Sequence, residues 1–306
     1  MSDFSDQWLA LRTAADSRAR ADQLIQRLMI DSDDCLEVID LGCGTGANLR
    51  HLAPLLAAAG AVEQDWTCAD HAETLLARLA TRTADWAAAQ GHRLTADGGS
   101  LRIRASDWDC RVQTQSIDLA AGLASAPLPT GALVTASALL DLVSAAWLDG
   151  LLARCRQAQC RLLFTLSYDG RCALGPAHAD DAAVIALVNR HQRGDKGFGP
   201  ALGPAAASHA KDSCSALGYQ PHTADSDWQI GPDEADFQRA LVDGWYRAAR
   251  EVASDSALAA RLAAWRDARA GWIDAGRSRI IVGHRDLAAA RPRPVDAIDT
   301  ATPETG

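Results

Sequence analysis

Long apolar runs are missing from this sequence. No stretch approaches the ~18 consecutive apolar residues that mark a membrane-spanning helix, so no span is expected. The opening residues, Met1-Ser2-Asp3-Phe4-Ser5-Asp6, are polar and acidic. They lack the positive start and apolar centre of a secretory leader, and the chain reads as cytoplasmic. Basic blocks are missing too. The formal net charge is -9, so no large nucleic-acid footprint is expected. Paired cysteine spacing is absent: Cys35, Cys43, Cys68, Cys110, Cys155, Cys160, Cys172 and Cys214 contain no CxxC. Several lie in apolar runs, where cysteine behaves as a small hydrophobe. They read as reduced thiols, with no metal site. No internal repeat and no clear linker divides the chain.

What remains is a globular composition: 306 residues, 48% of them hydrophobic, enough to bury a substantial core. Short apolar runs alternate with helical periodicity. Strands are expected at Glu37–Leu41, Trp66–Asp70, Leu101–Ala105, Ala132–Ala136, Arg161–Leu166 and Arg279–Gly283, with a further one within Tyr219–Ile230. Leu101–Ala105 is expected to form a hairpin with Arg93–Thr95, and Ile117–Leu119 to be an approach loop or a short edge strand. Helices are expected over residues 4–30, Ala47–Ala59, Glu73–Gln90, Ala145–Gln157, Asp180–Arg193, Asp233–Glu251 and Ser256–Ala275. Such alternation predicts a doubly wound α/β domain with a largely parallel sheet. Residues 1–287 read as one domain, with a helical cap over about 4–30 and an elaboration over about 171–211. Residues 288–306 read as a disordered tail.

One stretch organises the rest. Val38-Ile39-Asp40-Leu41 is an apolar run ending beside an acid, and Gly42-Cys43-Gly44-Thr45-Gly46 follows before a helix starts at Ala47. Three alternate glycines carry an entropic cost, which points to a geometric need for a turn without side chains. The plainer alternative is an ordinary glycine-rich turn between strand and helix.

In open α/β sheets the ligand lies beyond the carboxyl ends of the strands. The second and third expected strands run into Asp70 and Asp107. A carboxylate accepts two hydroxyl hydrogen bonds, so Asp70 suits a ribose diol. Asp107 suits an exocyclic amine such as that of adenine, and Trp108 offers a flat apolar face. Gly42–Ala47 also satisfies the GxGxxA form of the dinucleotide fingerprint. Against that reading, Asp40 places a negative charge close to where a pyrophosphate binds, whereas a cationic amine welcomes it.

Val38–Gly46 closely resembles the first motif of class I S-adenosylmethionine-dependent methyltransferases. Asp70 and Ser106-Asp107-Trp108 resemble that family's second and third cofactor positions, and Ser137–Asp141 its segment after the fourth strand. The resemblance covers roughly residues 35–168 and implies a Rossmann-like, seven-stranded, mostly parallel sheet with helices on both faces and an antiparallel last strand. It implies that Asp40, Gly42, Gly44 and Gly46 hold the methionine part of S-adenosylmethionine. Asp70 then takes the ribose, Asp107 and Trp108 the adenine, and Ser137 joins the cofactor set.

The expected reaction is in-line methyl transfer to an oxygen or nitrogen of a small molecule, in which alignment supplies most of the rate. A base is needed only where the acceptor loses a proton. Asp141 can orient a hydroxyl or amine, or cap a helix start. Tyr168 follows the fifth strand. Histidine as a residue type suits proton transfer near neutral pH, which makes His191 a candidate base. Asp195 and Lys196 lie in Gly194–Pro204, a segment too rich in glycine and proline to continue a helix or strand, read as a lid meeting a polar or anionic substrate. An arginine of the N-terminal helix is a candidate carboxylate contact. A monomer or homodimer is expected. The alternatives are an NAD(P)-dependent oxidoreductase and a non-catalytic, methyltransferase-like binding protein.

Overall fold

The computed structural model describes residues 6–30, 35–122, 126–253 and 256–290. The chain opens with α1 (Asp6–Ala19) and a 3-10 segment, Asp22–Leu28. Strand and helix then alternate: β1 (Leu36–Leu41), α2 (Ala47–Ala58), β2 (Glu63–Asp70) and α3 (Glu73–Ala89). A hairpin of β3 (Arg93–Asp97) and β4 (Ser100–Arg104) leads into β5 (Asp109–Ser116). Next come β6 (Leu133–Ser137), α4 (Ala145–Gln157), β7 (Arg161–Gly175), α5 (Asp181–Gln192) and α6 (Ala206–Ala216). The chain closes with β8 (Gln220–Asp225), β9 (Trp228–Ile230), α7 (Ala235–Val252), α8 (Ser256–Asp274) and β10 (Arg279–Ala290).

The sheet order is β3-β4-β5-β2-β1-β6-β7-β10-β8, with β9 paired to β10. Strands β5, β2, β1, β6 and β7 are mutually parallel, and β10 runs antiparallel between β7 and β8. The expected strands appear as β1, β2, β4, β6, β7 and β10, with β3 as the expected hairpin partner and both β8 and β9 within Tyr219–Ile230, while β5 is an addition. Leu41 pairs with Ala69 on one side and Ala136 on the other, so the ends of β1, β2 and β6 lie level.

Burial follows the alternation of side chains along each strand. Val38, Trp66, Cys68 and Val112 point to one face, under α2, α3 and Asp22–Leu28. Ile39, Leu41, Val134 and Phe164 point to the other, under α4 and α6. A third core lies beyond the sheet's carboxyl edge. There the extensions of β7 and β10 supply Tyr168, Ile280 and Val282, which pack with α5, α7, α8, Ala15 of α1 and the indoles of Trp228, Trp245 and Trp265. This helical cap gives the ligand edge a roof. No helix among the described residues is long and apolar enough to cross a membrane.

Three expectations are corrected. The third parallel strand is β5, beyond the Asp107-Trp108 pair, because Leu101–Ala105 folds back as a hairpin arm. β7 does not end at Leu166: it runs to Gly175 paired with β10, so Tyr168 and Asp169 lie within a strand. β10 runs to Ala290, so residues 288–290, read as the start of the tail, are strand, with Ala288, Ala289 and Ala290 all buried. Residues 291–306 lie outside the described residues.

Candidate functional site

The glycine turn has the conformation its residues permit. Gly42, Gly44 and Gly46 have φ of 68°, 53° and 79°, in the left-handed region that side chains disfavour. At Gly46 a Cβ would also come within 2.9 Å of Leu79. The turn spends its donors internally. The amides of Gly42 and Cys43 donate to the Ala69 carbonyl at 2.8 and 3.1 Å, and that of Gly46 to the Cys43 carbonyl at 2.9 Å. The amide of Gly44 donates to Asp70 Oδ2 at 2.8 Å, and Ala72 N donates to Asp70 Oδ1 at 2.9 Å. Asp70 thus fixes the turn of a neighbouring strand.

Asp40 lies behind this turn, fully buried. Asn48 Nδ2 donates to its Oδ1 at 2.8 Å, while Oδ2 has no hydrogen-bond partner among the described residues. Burial pushes its carboxyl up to about 7, against the opposing pull of the Asn48 bond and the Arg20 charge. Arg20 enters from the chain just after α1. Its Nη1 donates to Asn48 Oδ1 at 2.5 Å and its Nη2 to Ser137 Oγ at 3.0 Å, while Nε has no partner among the described residues. Desolvation holds its guanidinium below the usual range. What aims Arg20 is Asp286 of β10, which accepts from Ala21 N at 2.9 Å, Leu166 N at 2.7 Å and Ser226 Oγ at 2.6 Å.

A cavity of about 440 Å³ opens beyond these strand ends. Gly42, Gly44, Asn48, Asp70, Asp118 and Ser137 form its floor. Leu9, Arg12, Asp16 and Arg20 of the N-terminal segment, with Lys196 and Phe198, form its roof. Arg12 is tied to Asp16 at 2.8 Å and stacks over Trp228, whose Nε1 donates to Asp16 at 2.9 Å. Phe198 meets Trp147 edge-on at 5.3 Å. The loop after β6 is turned by Ala138, a non-glycine residue at φ 53°, which presents Ser137 and Leu139 to the cavity.

Several expected residues meet here and others do not. Gly42, Gly44, Asp70, Ser137 and Lys196 line the cavity. Asp40 and Gly46 stand one layer behind it. Asp107 and Trp108 are remote. They precede β5, whose Asp109 pairs with Glu63 at the start of β2, so they lie at the opposite edge of the parallel strands. Asp107 is exposed, and Trp108 is buried against His92. The acid at the carboxyl end of β5 is Asp118. Asp141 is buried in a 3-10 turn beside the cavity, where desolvation pushes its carboxyl up to about 6. Tyr168 is buried in the cap, its hydroxyl donating to Asn189 Oδ1 at 2.7 Å. His191 stands behind Lys196, and Asp195 folds its own loop by accepting from the amides of Gly197 and Gly199 at 2.7 and 3.0 Å.

Asp118, Arg12, Asp16 and Phe198 escaped the residue-level reading. For Asp118 a signal existed, since Cys110 and Val112 alternate with Arg111, Gln113 and Gln115 just before it. Arg12 and Asp16 carry no local sign of their partner Trp228.

No protein-family model and no curated protein matches the chain. Solved structures resemble it in shape. A cyclopropane synthase from Mycobacterium tuberculosis is 10% identical over 94% of this chain and 95% of that one, with a TM-score of 0.46. A cyclopropane-fatty-acyl-phospholipid synthase-like protein from Lactobacillus casei is 13% identical over 92% and 99%, with a TM-score of 0.47. A SAM-dependent methyltransferase from Geobacter sulfurreducens, solved with S-adenosylhomocysteine, is 14% identical over 95% and 100%, with a TM-score of 0.43.

Proposed function

We propose that this protein is a class I methyltransferase that moves the methyl group of S-adenosylmethionine to an oxygen or nitrogen of a small molecule. The observation that carries this reading is the use of the turn's amides. A dinucleotide needs free backbone N–H groups to cradle its pyrophosphate. Here the amides of Gly42, Cys43, Gly44 and Gly46 are already committed within the protein. Behind the turn, Arg20 Nε and Asp40 Oδ2, a buried cation and a buried acid, are left without a partner among the described residues, as is Asp141 Oδ1 in the neighbouring 3-10 turn. The pair of Arg20 and Asp40 fits the carboxylate and ammonium of an amino acid.

In this reading Arg20 binds the carboxylate, and Asp40 acts on the ammonium through Asn48. Asp70 accepts from the ribose with the lone pairs its two amide bonds leave open. Asp118 and Leu119, facing Leu75, hold the base in place of the expected Asp107 and Trp108. When bound, the cofactor supplies an electrophilic methyl carbon and a thioether leaving group. The protein's part is alignment and exclusion of water. Leu139 and Leu142 beneath, with Leu9 and Phe198 above, enclose the reacting end, and Lys196 is the cation there.

Calorimetry with S-adenosylmethionine, S-adenosylhomocysteine, NAD and NADP tests the reading. We expect binding of the two adenosyl compounds alone. Binding of a dinucleotide alone, or of nothing by folded protein, defeats it.

A further inference from the structure

Lys196 and Lys211 are the only lysines in a chain that otherwise carries its positive charge on arginine. Lys211 is exposed on α6, whereas Lys196 is half-buried and lines the cavity. The distinction is chemical. A guanidinium does not give up its proton in a protein, but an amine does. No carboxylate lies within ion-pair distance of the Lys196 ammonium among the described residues. Asp195 beside it is taken up by the Gly197 and Gly199 amides. Its contact is His191 Nδ1 at 3.4 Å. His191 Nε2 in turn lies 2.9 Å from Glu251 Oε2 on α7. A carboxylate only accepts, so Nε2 carries the proton and Nδ1 is the acceptor facing Lys196. The Glu251 side chain is 68% exposed, so the chain of contacts ends in solvent.

We propose that Lys196, His191 and Glu251 form a proton path from the methyl-transfer end of the cavity to the surface, with Lys196 Nζ taking the proton from the acceptor. The idea rests on the methyltransferase reading and narrows it to acceptors whose attacking atom carries a proton, a hydroxyl or an amine. As the acceptor's new bond to carbon forms, the carbon–sulfur bond breaks and sulfur keeps that electron pair. The acceptor's proton goes to the lone pair of Nζ. Lys196 then gives a proton to His191 Nδ1, and the proton on Nε2 leaves through Glu251 to water. His191 is a positioning and relay group, because Lys196 stands between it and the cavity.

Burial lowers the Lys196 ammonium from its usual range, and Glu251 partly opposes the shift. The other titratable groups lining the cavity are Arg12, tied to Asp16, with Arg20, Arg78, Asp118, and Asp70 beside His71. Glu251 is the carboxylate that His191 meets, so its removal isolates the path.

Two lysines make the test direct. Protein labelled with 13C at lysine Cε gives two titrating signals, assigned with Lys211→Arg. We expect Lys196 to titrate at lower pH than Lys211, and lower still in Glu251→Gln. If Nζ faces the reacting centre, the cationic sulfonium of S-adenosylmethionine lowers it further than neutral S-adenosylhomocysteine does. Co-titration with Lys211, indifference to Glu251→Gln, or equal response to the two bound compounds overturns the path. Calorimetry on the same samples reports separately on the cofactor. Failure of both compounds to bind defeats the methyltransferase reading and with it the proposal's reaction, while the free-protein titrations still decide whether the three groups are coupled.

Discussion

The floor and the roof of the cavity are built by opposite means. The floor uses neighbours in sequence: a strand end, a glycine turn and a helix start place Asp40, Gly42, Gly44 and Asn48 within nine residues. The roof uses distant partners. Asp286 holds Ala21 across 265 positions of sequence, and Trp228 holds Asp16 across 212. The floor buries the acids Asp40 and Asp70, and the roof buries Arg12 and Arg20 together with Asp16. A site floor can therefore be encoded locally, while the groups that close it depend on the finished fold.

The sharpest way to probe that charge division is pH. Asp40 titrates near 3.9 in an unfolded chain but is held up at about 7 by burial in the fold. The folded state thus binds this proton more tightly. Its contribution to stability is complete below about pH 4 and is lost as pH rises through 7. We expect wild type to lose stability relative to Asp40→Asn across that window, at up to about 1.4 kcal/mol per pH unit. Denaturant unfolding of both proteins at matched pH checks it, and a flat difference curve breaks the comparison. His284, which desolvation pulls down to about 3, works the other way below pH 6.5, but it is common to both proteins and cancels. A bound ammonium near Asp40 pulls its proton off, so S-adenosylhomocysteine binding near pH 6.5 should release protons. Calorimetry in two buffers of different ionisation enthalpy reads that release.

Next in size is Asp70→Ala in the floor. It strips two backbone amides of a charged acceptor, each worth about 1.5–3 kcal/mol. We expect thermal stability and S-adenosylhomocysteine binding to fall together. Arg20→Met in the roof should separate the two. Loss of one charged hydrogen bond weakens S-adenosylhomocysteine about 10- to 100-fold, while the midpoint of unfolding moves less than in Asp70→Ala. Equal loss of stability in both variants would show that Arg20 is structural.

The same contrast explains what could be read before the fold was known. The parallel order, the turn and Asp70 were legible, because strand periodicity and glycine conformation are local. The third strand was misplaced because Leu101–Ala105 and Asp109–Ser116 both alternate, and only their mutual pairing shows which one joins the parallel set. That error put the expected base-binding acid at Asp107, at the opposite edge of the parallel strands from Asp118, the acid that follows β5. Tyr168 looked like a loop residue because the apolar run ends at Leu166, while pairing with β10 continues to Gly175. In the roof the segment Asp16-Ser17-Arg18-Ala19-Arg20 offered only an arginine as a candidate carboxylate contact. Its meaning lay in Asn48, Ser137 and Trp228, which the chain brings near only on folding.

The smallest effect should come from Phe198, and it tests whether the roof divides further. Phe198 touches the cavity and leans edge-on against Trp147, whose Nε1 donates to the Leu119 carbonyl at 2.7 Å in the segment after β5. An aromatic pair of this kind is worth about 0.5–1.5 kcal/mol beyond its buried area. Phe198→Ala leaves Arg20, Asn48, Asp70 and Asp118 in place. If Phe198 closes only the acceptor end, the variant loses about 1 kcal/mol of stability and binds S-adenosylhomocysteine within about twofold of wild type. A tenfold loss would mean instead that the Trp147–Leu119 link carries the roof's packing into the floor beside Asp118, and that the two regions act as one.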